Sequence, residues 1–123
     1  MSISLKEISE RIQFVDLYQD DMCCIKGTVI KDNYGGKRLL AYGWIYLWNN
    51  ISSTPEKQIT INNVTINDKV SFNGILTVSE TGSAADQVFG TYLGNNTFTI
   101  GVKQLDGIAP DCRLNIHVTA DIL

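Results

Sequence analysis

One histidine, three cysteines and two prolines in 123 residues leave little material for the common catalytic and metal centres. A hydrolytic triad needs a nucleophile, a base and a group that orients the base. The single histidine, His117, instead alternates with Arg113, Asn115, Thr119 and Asp121 along a strand-like segment, which reads as a polar sheet face. There is no Cys-x-x-Cys, no histidine pair and no Asp-rich loop of the calcium type, so neither a metal nor a cofactor is expected. Gly35-Gly36 suits a hairpin turn better than a phosphate cradle. The acids sit at termini, turns and loop tips, not in a converging pair, so no enzyme is expected.

The three cysteines are Cys23, Cys24 and Cys112. Adjacent residues of a strand point to opposite faces, and the count is odd, which argues against a disulfide framework. Free thiols packed as small hydrophobes are the expectation.

Charge of one sign is also scarce. Ten Lys and Arg stand against thirteen Asp and Glu, for a net charge of −3, and the basic residues are scattered instead of striped. That removes the electrostatic footprint of a nucleic-acid binder. Long apolar runs are missing from Met1 to Glu10, so neither a leader peptide nor a membrane span is expected there, and no membrane insertion follows.

What is present is enough apolar material for one core: 44% of the residues are hydrophobic, with two Trp, four Phe and five Tyr. Leu5, Ile8, Ile12 and Val15 recur at helical spacing, and Ser4 with Glu7 has the form of a capping box, which predicts a short helix over 4–15. Residues 1–20 then read as a helical attachment segment and 21–123 as the β domain. Beyond Asp21 the period is two, punctuated by Asn33-Tyr34-Gly35-Gly36, Asn49-Asn50, Asn62-Asn63, Thr81-Gly82-Ser83 and Gly94-Asn95-Asn96. Strands are predicted over 22–31, 37–48, 57–61, 69–79, 86–93, 97–104 and 112–121. The fold class is all-β: an antiparallel β-sandwich of about six to seven strands with a short N-terminal helix. Val70, Phe72, Leu76 and Val78, then Phe98, Ile100 and Val102, then Leu114, Ile116, Val118 and Ala120, are the expected core faces.

The segment from Leu39 to Trp48 breaks the pattern. Leu39, Ala41, Ile45 and Leu47 alternate with Tyr42, Trp44, Tyr46 and Trp48, so neither face is a plain solvent face. The aromatics are expected to be covered, between subunits or under the N-terminal helix, or else to serve as a stacking platform for sugar rings. A ligand is expected on the polar connections, at Asp86 and Asp106, helped by an exposed Tyr92 and by the face bearing Arg113 and His117.

Tyr42-Gly43-Trp44-Ile45-Tyr46, Lys57-Gln58-Ile59-Thr60-Ile61, Ile75-Leu76-Thr77-Val78-Ser79, Asn96-Thr97-Phe98-Thr99-Ile100 and the alternating closing segment from Leu114 to Ile122 together carry a resemblance. The pattern, over roughly residues 40–122, resembles the tip domains of bacteriophage fibre and receptor-binding proteins and the H-type lectins that share their sandwich. The resemblance implies a homotrimer displayed on a virion, assembled in the host cytoplasm beside other virion proteins and recognising a host surface glycan. The alternative it leaves is a purely structural virion protein, a head fibre or capsid decoration trimer, without a sugar ligand.

Overall fold

The computed structural model describes residues 11–48, 56–69, 71–81, 86–104 and 111–123, with backbone alone for residues 48, 80, 81, 86, 103, 104, 111 and 112. Eight strands run through them: β1 (Ile12–Asp20), β2 (Cys23–Lys31), β3 (Lys37–Trp48), β4 (Glu56–Thr60), β5 (Gly74–Thr81), β6 (Asp86–Gly94), β7 (Thr97–Gln104) and β8 (Asp111–Ile122). They form two antiparallel sheets, one of five strands in the order β1-β2-β3-β8-β5 and one of three in the order β4-β7-β6.

Among the described residues the expected N-terminal helix does not extend over 12–15. Residues 12–15 are instead the start of β1, which pairs with β2 from Ile12↔Ile30 onward; Arg11, the other described residue of that segment, is helical, and residues 4–10 lie outside the described residues. The physical reason is local. Ile12, Phe14, Val15 and Tyr18 are β-branched or aromatic residues that fit a pleated surface. The register then slips between Asp16 and Tyr18, and this bulge breaks the period of two that would have marked the strand. Its extra residue, Leu17, is almost wholly buried. Gly27 on β2 makes the room: a Cβ there would lie 2.8 Å from Leu39 Cδ1 and 3.0 Å from Leu17 Cδ1.

The remaining strands follow their alternation. Leu39, Ala41, Ile45 and Leu47 of β3, Leu114, Ile116, Val118 and Ala120 of β8, and Phe98, Ile100 and Val102 of β7 are all buried in one cluster that draws on both sheets. In β5 the inward residues Leu76 and Val78 are half-buried and the strand starts only at Gly74, so the span 69–79 was drawn too early. Tight turns fit their residues. Asp32 Oδ1 accepts the backbone N–H groups of Tyr34 and Gly36 at 2.7 and 2.8 Å in the β2–β3 turn. Asn95 and Asn96 take φ of 53° and 62° between β6 and β7, the left-handed pair that a two-residue hairpin loop demands.

Between the sheets, the free space bounded by Ile25, Leu39, Ala41, Ile59, Phe98 and Ile116 is about 10 Å³, room for about one water. Among the described residues this space leaves no room for a larger ligand.

Candidate functional site: the outer face of the five-stranded sheet

The antiparallel register of β3 with β8 sets residues side by side that lie some seventy positions apart. Tyr42 pairs with His117, Trp44 with Asn115 and Tyr46 with Arg113. Each belongs to the outward half of its strand, because its neighbours Ala41, Ile45, Leu47, Leu114, Ile116 and Val118 are buried against the core. The aromatic set and the polar set, read from the sequence as separate features, therefore form one surface. A shallow groove there is lined by Tyr42, Gly43, Trp44, Arg113, Asn115 and His117.

Its geometry is specific. The Arg113 guanidinium lies over the Trp44 indole, 5.2 Å from the ring centroid, an arrangement that the negative face of the ring favours. Trp44 is half-buried by its neighbours, while Tyr42 and Tyr46 keep 51% and 37% of their surface exposed. Gly43 lets β2 and β3 approach: a Cβ at this position would collide with the Cys24 carbonyl oxygen and with Ile25 Cα. On the far side of Tyr42 the row continues to Lys26 of β2 and Asp16 of β1, and on the far side of His117 to Thr77 of β5.

The other expected site residues lie elsewhere. Tyr92 is a correction: it is not the exposed aromatic that the sequence suggests. Its ring is half-buried, with centroids 4.6 Å from Phe72 and 4.8 Å from Phe98. Its hydroxyl donates to Asp68 Oδ2 at 2.7 Å and accepts the Asn96 backbone N–H at 3.0 Å. Burial, and then the bond to Asp68, push its pKa up, and the same bond pulls that of Asp68 down. Asn96 completes this joint, donating from Nδ2 to Val64 O at 2.7 Å and accepting the Ile66 N–H at 2.8 Å on Oδ1. The network ties the connection after β4 to the β6–β7 hairpin, a structural task. Asp86 stands at the start of β6, with its side chain outside the description, as is that of Trp48; Asp106 lies outside the described residues.

A second polar cluster was not foreseen. Asp20 accepts from Tyr18 Oη at 2.8 Å, from the Met22 N–H at 2.8 Å and from Lys57 Nζ at 2.8 Å. Lys57 also sits 5.8 Å from the Tyr18 ring centroid. The lysine first and the tyrosine second hold the Asp20 carboxyl down at about 2, and the aspartate in turn raises Tyr18 and Lys57. Because Lys57 belongs to β4 and Asp20 to β1, the cluster joins the two sheets. Sequence spacing carries no signal for a partner thirty-seven residues away.

Among the described residues no three His, Cys, Asp or Glu gather as metal ligands, and no helix is long and apolar enough to cross a membrane. No family model, no curated protein and no solved structure matches this chain.

Proposed function

We propose that the chain is a non-enzymatic carbohydrate-binding β-sandwich of the kind that tips a virion fibre or receptor-binding protein, and that the outer face of its larger sheet holds the sugar. The observation that carries the reading is the alignment of Tyr42, Trp44 and Tyr46 with His117, Asn115 and Arg113 on one open face. Pyranose rings present apolar C–H faces that stack on phenol and indole rings, while the flanking hydroxyls need hydrogen-bond partners. Tyr42 offers an exposed ring, and His117 offers polar groups beside it. Arg113, whose guanidinium carries five N–H donors, suits an acidic sugar.

Catalysis is a poorer fit to the same face. Asp16, the carboxylate in the row of His117, stands three strand spacings away, about 14 Å, where hydrogen-bonded acid–base partners need about 3 Å. The virion setting is supported by the sequence resemblance and by the two-sheet scaffold.

The test is a glycan array with neutral and acidic polysaccharides, run beside purified cell-envelope polysaccharide, using the parent chain and the variants Tyr42→Ala and Arg113→Ala. Each variant is expected to keep its thermal unfolding midpoint and to lose binding by about tenfold, the worth of one stacked ring or one charge-assisted bond. A parent chain that binds no polysaccharide would leave the structural virion protein without a sugar ligand as the better reading.

A further inference from the structure

Next to the aromatic end of the outer face runs a row of a different character. Reading across the sheet, Phe14 pairs with Thr28, Thr28 with Leu40, Leu40 with Thr119 and Thr119 with Ile75. Phe14 is 80% exposed, Ile75 63% and Leu40 39%, with Ile12 and Ile30 exposed beside them. Sugars do not stack on leucine and isoleucine, and a connected apolar strip on a solvated sheet face marks a protein contact.

We propose that this row is a self-association surface, on which a second copy of the chain packs face to face about a two-fold axis. Two observations choose that occupant. The first is the order of the row, Phe-Thr-Leu-Thr-Ile, which has the same character from either end. A two-fold axis along the strands through Leu40 sets Leu40 on its own copy, each threonine on a threonine, and Phe14 of each chain on Ile75 of the other. That is the self-complementarity an isologous interface requires.

The second observation is area. The row and its two neighbours, Ile12 to Asn73 and Asp16 to Thr77, cover three residue pairs along strands that rise about 3.3 Å per residue, and five strands about 4.8 Å apart. That is roughly 20 by 24 Å, or about 500 Å² per copy and about 1,000 Å² in all, the size at which a specific interface begins. Within this area the charges stand beside opposite charges of their own chain, Lys26 next to Asp16 across β1 and β2. Arg38, which follows Leu40 on the outward side of β3, is neutralised within its own chain by Asp121 at 2.7 Å, and Asp121 is held from its other side by Asn73. Tyr42 and His117 lie inside this area and Trp44, Tyr46 and Arg113 beyond its rim, so pairing covers part of the proposed glycan site, while sedimentation reads the pairing with no sugar present.

The experiment is sedimentation velocity of the full chain over a concentration series reaching the upper micromolar range, with Leu40→Lys and Ile75→Lys measured alongside. Both positions are on the outside, and thermal unfolding at low concentration checks that each variant folds. The expected result is a monomer–dimer equilibrium in the parent chain, and at least a tenfold weaker dimer in each variant with its unfolding midpoint unchanged. A parent chain that stays monomeric overturns the proposal; shielding of the Leu40 and Ile75 methyl groups from a soluble paramagnetic probe in that monomer would show that another segment of the same chain covers the row. A trimer, or a dimer indifferent to both lysines, overturns it equally.

Discussion

The two faces of the five-stranded sheet use much the same residues and differ in what lies over them. On the inner face Leu39, Ile45, Leu114 and Ile116 meet Ile59, Phe98 and Ile100 of the smaller sheet and disappear from solvent. On the outer face Leu40, Tyr42 and Ile75, one residue along the same strands, remain exposed. Hydrophobicity of a strand residue therefore does not say which side is the core; the second sheet does. What the outer face keeps is a surface with two chemistries, aromatic and polar towards Arg113, aliphatic towards Phe14.

The adjacent cysteines give the largest expected contrast between the faces. Cys23 is fully buried on the inner side, and burial pushes its thiol up to about 12 from the ordinary 9.0, whereas Cys24 on the outer side is only half-buried. The thiolate is the reactive form, so near pH 8 the shift alone cuts the reactive fraction of Cys23 about a thousandfold below that of an ordinary thiol. Alkylation of the native chain, read by peptide mass mapping, is expected to modify Cys24 within minutes and Cys23 only as the fold opens. Equal rates would show that the inner face is not closed. A mass lower by two hydrogens before reduction would show that a bridge forms.

Leucine truncation compares the faces directly. Leu114→Ala removes a side chain with no exposed surface and is expected to cost about 2–5 kcal/mol by urea unfolding. Leu40→Ala, on the outer side of the neighbouring strand, is expected to cost under about 1 kcal/mol at protein concentrations too low for pairing. Comparable losses would mean that Leu40 is covered within its own chain.

This contrast also explains what could be read beforehand. The spans 22–31, 37–48, 86–93, 97–104 and 112–121 differ from β2, β3, β6, β7 and β8 by one residue or none at each end, because clean alternation and Gly or Asn turns bound them. β1 is hard to read from the sequence because Ile12 and Val15 fall at helical spacing from Leu5 and Ile8, while the bulge at Leu17 hides the strand period. Tyr92 reads from the sequence as an exposed aromatic because a tyrosine near a turn looks alike whether or not its hydroxyl is spent; Asp68, twenty-four residues earlier, spends it. Arg113 and His117 were picked out along with the aromatics of β3, but their shared surface depends on the β3–β8 register. The row from Phe14 to Ile75 draws on five strands, and no window along the chain contains it.

Among the described residues one ion pair, Asp20 with Lys57, joins the two sheets at the rim of the inner face, and it gives the smallest expected effect. Lys57 and Tyr18 hold the Asp20 carboxyl at about 2, below its ordinary 3.8. A carboxyl whose pKa is lower in the folded chain than in the unfolded one stabilises the fold above its unfolded pKa, and that stabilisation is lost as pH falls through the folded value. The window is therefore about pH 5 down to about pH 2. The Asp20 and Lys57 side chains keep 34% and 27% of their surface exposed, so solvent screening reduces the contribution to about 1 kcal/mol. Unfolding midpoints in urea, measured from pH 7 to pH 2 for the parent chain and for Asp20→Asn, are expected to differ most at pH 7 and to converge at the acid end. Lys57→Met, which keeps an unbranched side chain one atom shorter and removes its charge, is expected to flatten the same limb. Parallel curves across the whole range would mean that the pair contributes nothing to holding the sheets together, and that apolar burial alone separates the covered face from the open one.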